Sequence, residues 1–436
     1  MNSNNPLEWE KHQVDHLFLL IGENPLPNYV AARTLLQVGG KVYLVDTTGT
    51  NPTEPGKEGP SQRLREILGL SEQDRVPLED NESDAYEIKK TITAKVKEIQ
   101  EKDKQDYPGE TKRFGLNYTG GTKAMAVHVY QALLELKLSP EPVFSYLDPR
   151  SLKMRIDHQN TQLDVLEDKV KIWLDISFEK LFDLHNLRWN PDDEPIKIPC
   201  LTEAAKDLVD LYINQRNSVA EGYRKWREDI LAKEAKYQNR HWLYENQLKS
   251  VSLDLSNLPS PIQQVLKKGL NLSSNQLDLK VAKSYGFNKI SQFCEWLNCG
   301  WIEHYVLWQV QQIRNIEINE SAMSFHIEDS DNPNANWDKF EFDVAFRRGY
   351  QLFALSCTTA IYDDTCKEKL FEAYIRARQL GGAEARVALV CPHNDPARLE
   401  KHLKILMQDK KIAVFGQRHL KKLSENISKW IEGQSY

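Results

Sequence analysis

The sequence predicts an α/β protein in three successive regions: a parallel-sheet region first, a helical middle, and a second α/β region at the C-terminus. Three observations carry this. Short apolar runs at residues 16–21, 42–45, 114–118 and 143–147 alternate with amphipathic helical stretches, the pattern of a parallel sheet with right-handed crossovers. Residues 203–244 are heavily charged, with apolar residues at helical spacing. Residues 337–345 alternate polar and apolar and, with 350–355, read as a hairpin set between helices.

Composition bounds the function. A chain of 436 residues holds two or three domains, each with its own core. The net charge of −6 argues against a generally basic nucleic-acid coat and leaves room for a local basic cleft. No apolar run approaches the roughly 20 residues needed to span a bilayer, and residues 1–6 lack the regions of a signal peptide. The six cysteines form no zinc spacing. The expectation is a cytoplasmic protein with reduced thiols, no membrane association and no structural metal.

The first strand, 16–21, ends in Gly22-Glu-Asn-Pro-Leu-Pro-Asn28, whose two prolines forbid regular structure. A helix follows through Tyr29, Ala32, Leu35 and Leu36 and is expected to stop at Gly39-Gly40. Strand 42–45 leads to Asp46-Thr47-Thr48 and a proline- and glycine-rich loop, then helices over 62–68 and 83–103. Strand 114–118 runs into Thr119-Gly120-Gly121-Thr122-Lys123 and a helix. In such sheets ligands sit beyond the carboxyl ends of the strands, which gathers the loops at 22–28, 46–50 and 119–123 at one edge. Gly120 and Gly121 allow close backbone approach, and the helix-opening amides with Lys123 suit an anion. Thr119, Thr122 and Asn117 offer hydrogen bonds. The same residues also read as an ordinary strand-to-helix turn with Thr119 or Thr122 as N-cap.

Residues 160–182 either complete the first domain or lead out of it, and 191–199, rich in proline and acid, read as a linker. The charged stretch 203–244 reads as a solvated helix face, or alternatively as an arm touching nucleic acid through Arg216, Arg224, Lys225, Arg227 and Lys233. In the C-terminal region a helix over 300–310 carries Glu303. The hairpin places Glu341 and Asp343 on one strand face and turns at Arg347-Arg348-Gly349, whose two arginines are expected to grip phosphate. A helix over 367–380, capped by Gly381-Gly382, carries Lys367, Lys369 and Glu372.

The segment from about Asp15 to Asp157 resembles a CARF domain, the Rossmann-like sensor of type III CRISPR defence. The resemblance rests on the loop 22–28, on Asn117-Tyr-Thr-Gly-Gly-Thr-Lys-Ala-Met125, and on Tyr146 and Asp148. It implies a homodimer that binds a ring of 3′–5′-linked adenylates, the tetra-adenylate above all, across its two-fold axis. Gly120, Gly121, Thr122 and Lys123 would hold the phosphates, Asn24, Asn28, Thr47 and Thr48 would lie near ribose or adenine, and Thr119 would belong to the same ligand set. The C-terminal order of helix, hairpin, helix and strand resembles the PD-(D/E)XK nuclease fold. That resemblance implies Glu303, Glu341 and Asp343 as ligands of Mg2+ or Mn2+, and DNA or RNA as substrate. Relatives by pattern follow Glu-x-Asp with a second strand ending in an acidic-x-Lys triplet. Here that triplet is Ser356-Cys357-Thr358. The expectation is that Lys369 or Lys367 replaces the lysine and Glu372 the acid. The implied domains are 1–165 (sensor), 166–290 (linker and helical segment) and 291–436 (nuclease-like). The implied function is a cyclic-oligoadenylate-activated, metal-dependent nuclease of antiviral defence. Its competitors are a ligand-gated regulator with a degenerate nuclease domain, and a ring nuclease acting in the first domain.

Overall fold

Strand β1 (Val14–Leu20) is apolar from Leu17 to Leu20 and buried on both faces, as a central strand between two helical layers must be. A computed structural model describes residues 10–52, 58–148, 153–157, 164–166, 174–191, 194–214, 216–238, 240–330 and 340–436. The readings of residues 1–6, of the loop at 53–57, of 160–163 and 167–173, of 192–193 in the linker, and of 337–339 in the hairpin lie outside these.

The first sheet runs in the order β3-β2-β1-β4-β5-β6-β7. Strands β2 (Leu36–Asp46), β3 (Arg75–Pro77), β4 (Phe114–Asn117) and β5 (Val143–Asp148) are parallel to β1. Strand β6 (Lys153–Asp157) runs antiparallel to β5, and β7 (Asp164–Leu166) antiparallel to β6. Helices α1 (Leu26–Leu35) and α2 (Pro60–Leu68) cover one face. Helices α3 (Ala85–Asp106) and α4 (Lys123–Glu135) cover the other through Ile88, Ile92, Val96, Val129 and Leu133. Asp84 starts α3 by accepting from the Tyr86 and Glu87 amides.

The local differences from sequence have local causes. The first helix ends at Leu35 rather than at Gly39-Gly40, and β2 begins at once. Pairing slips between Val14–Leu36 and His16–Lys41, and Gly39 at φ 81° turns the extra residues outward. Strand β3 is too short to show a period. The acidic loop after it, from Glu79 to Glu82, reaches the carboxyl edge of the sheet: the Glu79 carbonyl accepts from the Thr48 amide and the Glu82 carbonyl from the Thr122 hydroxyl.

The second sheet follows chain order, β8 to β13: Leu187–Trp189, Glu320–Asp329, Phe340–Arg348, Gln351–Cys357, Arg386–Val390 and Ala413–Phe415. The segment 166–290, expected to be a linker and helical segment, thus supplies an edge strand, and helix α5 (Phe178–Asp183) packs beside it. Helices α6 (Thr202–Asn214) and α7 (Arg216–Trp226) share a core with α9 (Trp301–Gln311), Tyr212 lying 5.1 Å from Trp301 between ring centroids. Between them in sequence lies α8 (Ser260–Gly269). On the surface of the middle region, Arg224 and Lys233 pair with acids of their own helical stretch, and Arg227 donates to Asn298.

Helix α9 and α12 (Leu423–Glu432) pack on one face of the second sheet. Helices α10 (Asp363–Gly381) and α11 (Pro396–Leu406) pack on the other. That second face shares a continuous core with α1 of the first sheet, so Leu26 and Val30 belong to the same cluster as Leu352 and Leu380.

Candidate active site and ligand turn

Pairing between β10 and β11 ends at Val344–Leu355. The next residues, Asp343 and Ser356, stand where the two strands part. Asp343 bridges this fork: its Oδ2 accepts from the Cys357 amide at 2.7 Å and from the Ser356 hydroxyl at 3.1 Å. Ser356, in the place of the expected acid, therefore fixes the orientation of Asp343. Thr358, in the place of the expected lysine, lies past the strand end, where its hydroxyl accepts from the Ala360 amide.

Lys369 comes from α10 to the same place. With Glu341, Asp343, Ser356 and Glu372 it lines a cleft of about 50 Å³, enough for a few water molecules, each of which needs about 10–15 Å³. Asp343, before Glu341, Glu372 and Glu303, raises the pKa of Lys369 against the opposing effect of burial. Lys367, two residues earlier, is turned away around the helix and pairs with Asp364 at 3.3 Å. Of the two candidate lysines, the fold brings Lys369 to the fork.

Glu303 reaches the fork from α9, on the opposite face of the sheet. Burial first, then the charges of Asp343 and Glu341, push its pKa well up, while the Ser324 hydroxyl, donating at 2.5 Å, opposes this. Ser324 sits on β9 level with Asp343 at φ 48°, a left-handed conformation uncommon inside a strand. Burial and then Asp343 raise Glu341 to about 7, with His326 and Lys369 pulling the other way. The His326 Nε2 lies 3.9 Å from Glu341, directly across the ladder. The sequence does not announce Ser324 and His326, because the alternation of β9 breaks at Ser324, so that Met323 and Phe325 join different cores.

Among the described residues no three His, Cys, Asp or Glu side chains converge closely enough to ligate a metal ion. The donor set nevertheless suits a hard cation in atom type and in charge: the acids raise one another's pKa values, and Lys369 is the cation among them. Ligation requires side-chain movement from the present arrangement.

Two further expectations change. Arg347, expected to grip phosphate from the hairpin turn, is 4% exposed and bonds Asp175 at 2.6 Å, Glu320 at 3.1 Å and the Gly349 carbonyl at 2.9 Å. It is a clamp within the protein. Arg348 lies beside Arg386, whose pKa it lowers after burial.

The turn at 119–123 sits between the carboxyl ends of β1 and β4, where the direction of crossover reverses, the usual ligand crevice of such sheets. Thr122 is the N-cap of α4, accepting from the Met125 amide at 3.1 Å. The amides of Lys123 and Ala124 open the helix, and Lys123 is exposed. The glycines also have a role in packing. A Cβ on Gly120 would stand 2.2 Å from the Leu20 carbonyl oxygen and 3.1 Å from Asn28 Oδ1. On Gly121, at φ 70°, it would stand 2.9 Å from the Leu20 side chain. Both glycines are required for close packing on β1.

The other predicted ligand residues divide. Thr48 is exposed at the edge, whereas Thr47 is buried in its own turn, its amide donating to Thr50 Oγ1 at 3.0 Å. Thr119 Oγ1 accepts from the Leu147 amide at 2.7 Å, and Asn117 donates to Ser145 at 3.0 Å. Asn28 is fully buried, its Nδ2 donating to the Leu20 carbonyl at 2.8 Å. Asn24 is turned away from the turn, toward the second sheet, with its Nδ2 against Gly382.

No protein-family model matches the chain, and no curated protein matches it in sequence. Solved structures match it in fold. Protein VC1899 from Vibrio cholerae matches with a TM-score of 0.66 and 15% identity, over 96% of this chain and 98% of its own. Can2 from Sulfobacillus thermosulfidooxidans, solved in complex with cyclic tetra-adenylate, matches with a TM-score of 0.57 and 18% identity, over 96% of this chain and 99% of its own. At these identities the likeness is one of fold, and it spans both sheets.

Proposed function

We propose that the chain is a nuclease switched on by a cyclic oligoadenylate, the tetra-adenylate first among them, acting as an ancillary effector of type III CRISPR antiviral defence. The observation that carries this reading is the meeting of Lys369 with Asp343, Glu341 and Glu372 in one cleft at the strand fork. Such a set serves phosphodiester hydrolysis. Lys369 orients the attacking water and balances the negative charge that grows on the phosphate. Glu372, one helical turn on, holds the ammonium in place. The Cys357 amide and Ser356 hydroxyl keep Asp343 pointed into the cleft. Glu303, Glu341 and Asp343 would hold Mg2+ or Mn2+, which polarises the phosphodiester and lowers the pKa of water.

The sensor reading is supported by the fold shared with Can2, which was solved with cyclic tetra-adenylate bound. It is supported also by the exposed Lys123 at the N-terminus of α4. The ring would lie over the amides of Lys123 and Ala124 and across the axis of a homodimer. In this reading residues 1–165 sense, 166–290 connect and 291–436 cut. Among the described residues no helix is long and apolar enough to cross a membrane, and a cytoplasmic location goes with the proposed role.

The test is cleavage of single-stranded DNA, RNA and supercoiled DNA with Mg2+ or Mn2+, with and without each ring size. Ring-dependent cleavage that disappears in Asp343→Ala is expected; no cleavage of any substrate under any ring overturns the nuclease reading. One observation favours a ligand-gated regulator with a degenerate nuclease domain instead: Asp343 is committed to the β11 backbone. Ring-dependent nucleic-acid binding without cleavage would support that alternative. Loss of the ring over time, unaltered in Asp343→Ala, would support ring-nuclease activity in the first sheet.

A further inference from the structure

The loop between β1 and α1 touches both halves of the molecule within three residues. A Cβ on Gly22 would stand 3.2 Å from the Gly121 amide nitrogen, so this end of the loop lies against the proposed ligand turn. Two residues on, the Oδ1 of Asn24 accepts from the Leu26 amide at 2.9 Å, which fixes the side-chain amide and directs its Nδ2 the other way. There it meets Gly382: a Cβ on that residue would stand 2.2 Å from Asn24 Nδ2 and 2.9 Å from Glu384 Oε2. Gly382 has φ 60° and ψ −147°, a region essentially closed to other residues.

Gly382 ends α10, and the turn after it is pinned. The Glu384 carbonyl accepts from Gln351 at 2.9 Å, the Ala383 carbonyl accepts from Lys411 at 2.5 Å, and Glu384 is 3% exposed. Helix α10 runs unbroken from this turn back to Asp363. Lys369 and Glu372 project from it, Lys369 lying about 18 Å along the axis from Gly381 at 1.5 Å per residue. A helix moves as a rigid element, so a displacement at its capped end is felt at its far turns.

We propose that the β1–α1 loop couples the ligand turn to the cleft: Gly22 reads the Gly120–Gly121 turn, Asn24 bears on Gly382, and α10 carries the change to Lys369. This rests on the functional reading above and deepens it by assigning the regulation of the same site. The ring favours the state in which α10 sets Lys369 against Asp343, and its activating power is its preference for that state over the other. Asn24 is then a positioning residue rather than a ligand contact.

The test uses the full-length chain and cyclic tetra-adenylate. In Asn24→Ala the ring is expected to bind within about threefold of wild-type affinity by calorimetry, while its stimulation of cleavage falls at least tenfold. A collapse of ring affinity would make Asn24 a ligand contact, and undiminished stimulation would leave it without a role; either overturns the coupling. Hydrogen exchange on the unaltered protein provides a second reading that does not depend on a variant folding. Ring binding should change protection in residues 377–384 and leave α11 unchanged. Binding with no change at 377–384 overturns the coupling alone. A wild-type chain that binds no ring overturns the functional reading and this inference with it.

Discussion

Lys369 and Asp343 face each other across the fork where β10 and β11 part, one carried by a helix and the other by a strand. Each alters the other's hold on its proton, Asp343 raising the pKa of Lys369 and Lys369 opposing the rise that burial imposes on Asp343. Lys369, with Glu372 beside it, lines the cleft next to Ser356, where a strand triplet supplies the acid and the lysine in the pattern that the sequence resembles.

Replacing Lys369 with alanine should therefore lower ring-stimulated cleavage by about 10²-fold or more, the scale of a lost positioned acid–base group. Lys367→Ala should stay within about twofold of wild type, because Lys367 pairs with Asp364 away from the cleft. Equal losses in the two variants would remove the distinction drawn between them.

The crowded carboxylates make a pH prediction. Glu341 is raised to about 7, so the folded chain binds its proton more tightly than the unfolded chain does. Stability is then highest below the ordinary glutamate pKa of about 4.3 with respect to this group, and falls as pH rises toward 7. The loss is about 1 kcal/mol after allowing for the solvent that screens a half-exposed carboxyl. Melting in EDTA from pH 5 to 8 should show it, and Glu341→Gln should flatten the slope. Mn2+ should flatten it too, by balancing the charge.

Gly120→Ala should cost about 3 kcal/mol or more without any ligand present, because the new methyl meets a backbone oxygen that has no room to yield. Denaturant unfolding of the ligand-free protein measures this. A neutral result would return Gly120 to the role of a ligand cradle.

Lys123 stands apart from that packing. Lys123→Ala should leave the melting temperature within about 1 °C and weaken ring binding by about tenfold, one lost charge-assisted contact being worth about 1.4 kcal/mol. Calorimetry at two salt concentrations should show a smaller salt dependence in the variant.

Arg347→Met removes the bonds of a buried guanidinium to Glu320, Asp175 and the Gly349 carbonyl, while Glu320 keeps Lys197 at 3.2 Å and the Phe178 amide at 3.0 Å, so the loss should be about 1–3 kcal/mol. Stability should fall on that scale while ring affinity is unchanged, as measured by unfolding and by calorimetry.

By itself the sequence determined what depends on near neighbours along the chain. The apolar run Leu17–Leu20 dictated a central strand, Asp84 and Thr122 dictated helix starts, and Glu341 and Asp343 two residues apart dictated a shared strand. It also pointed to Lys369 and Glu372 as a helical pair, without choosing between Lys369 and Lys367. Tertiary structure decided what depends on approach between distant segments. It selected Lys369, because the rotation of α10 against β11 fixes which side of the helix faces Asp343. It brought Ser324 and His326 to Glu303 and Glu341 through a strand whose broken alternation hides it. It converted Arg347 from a surface cation into a buried clamp and turned Asn24 toward Gly382. Gly120 and Gly121 show the boundary most plainly. Two adjacent glycines announce that something comes close to the backbone, and only the folded chain reveals that it is Leu20. A sequence records which residues permit contact, whereas the partner in that contact is fixed by how the sheets and helices assemble.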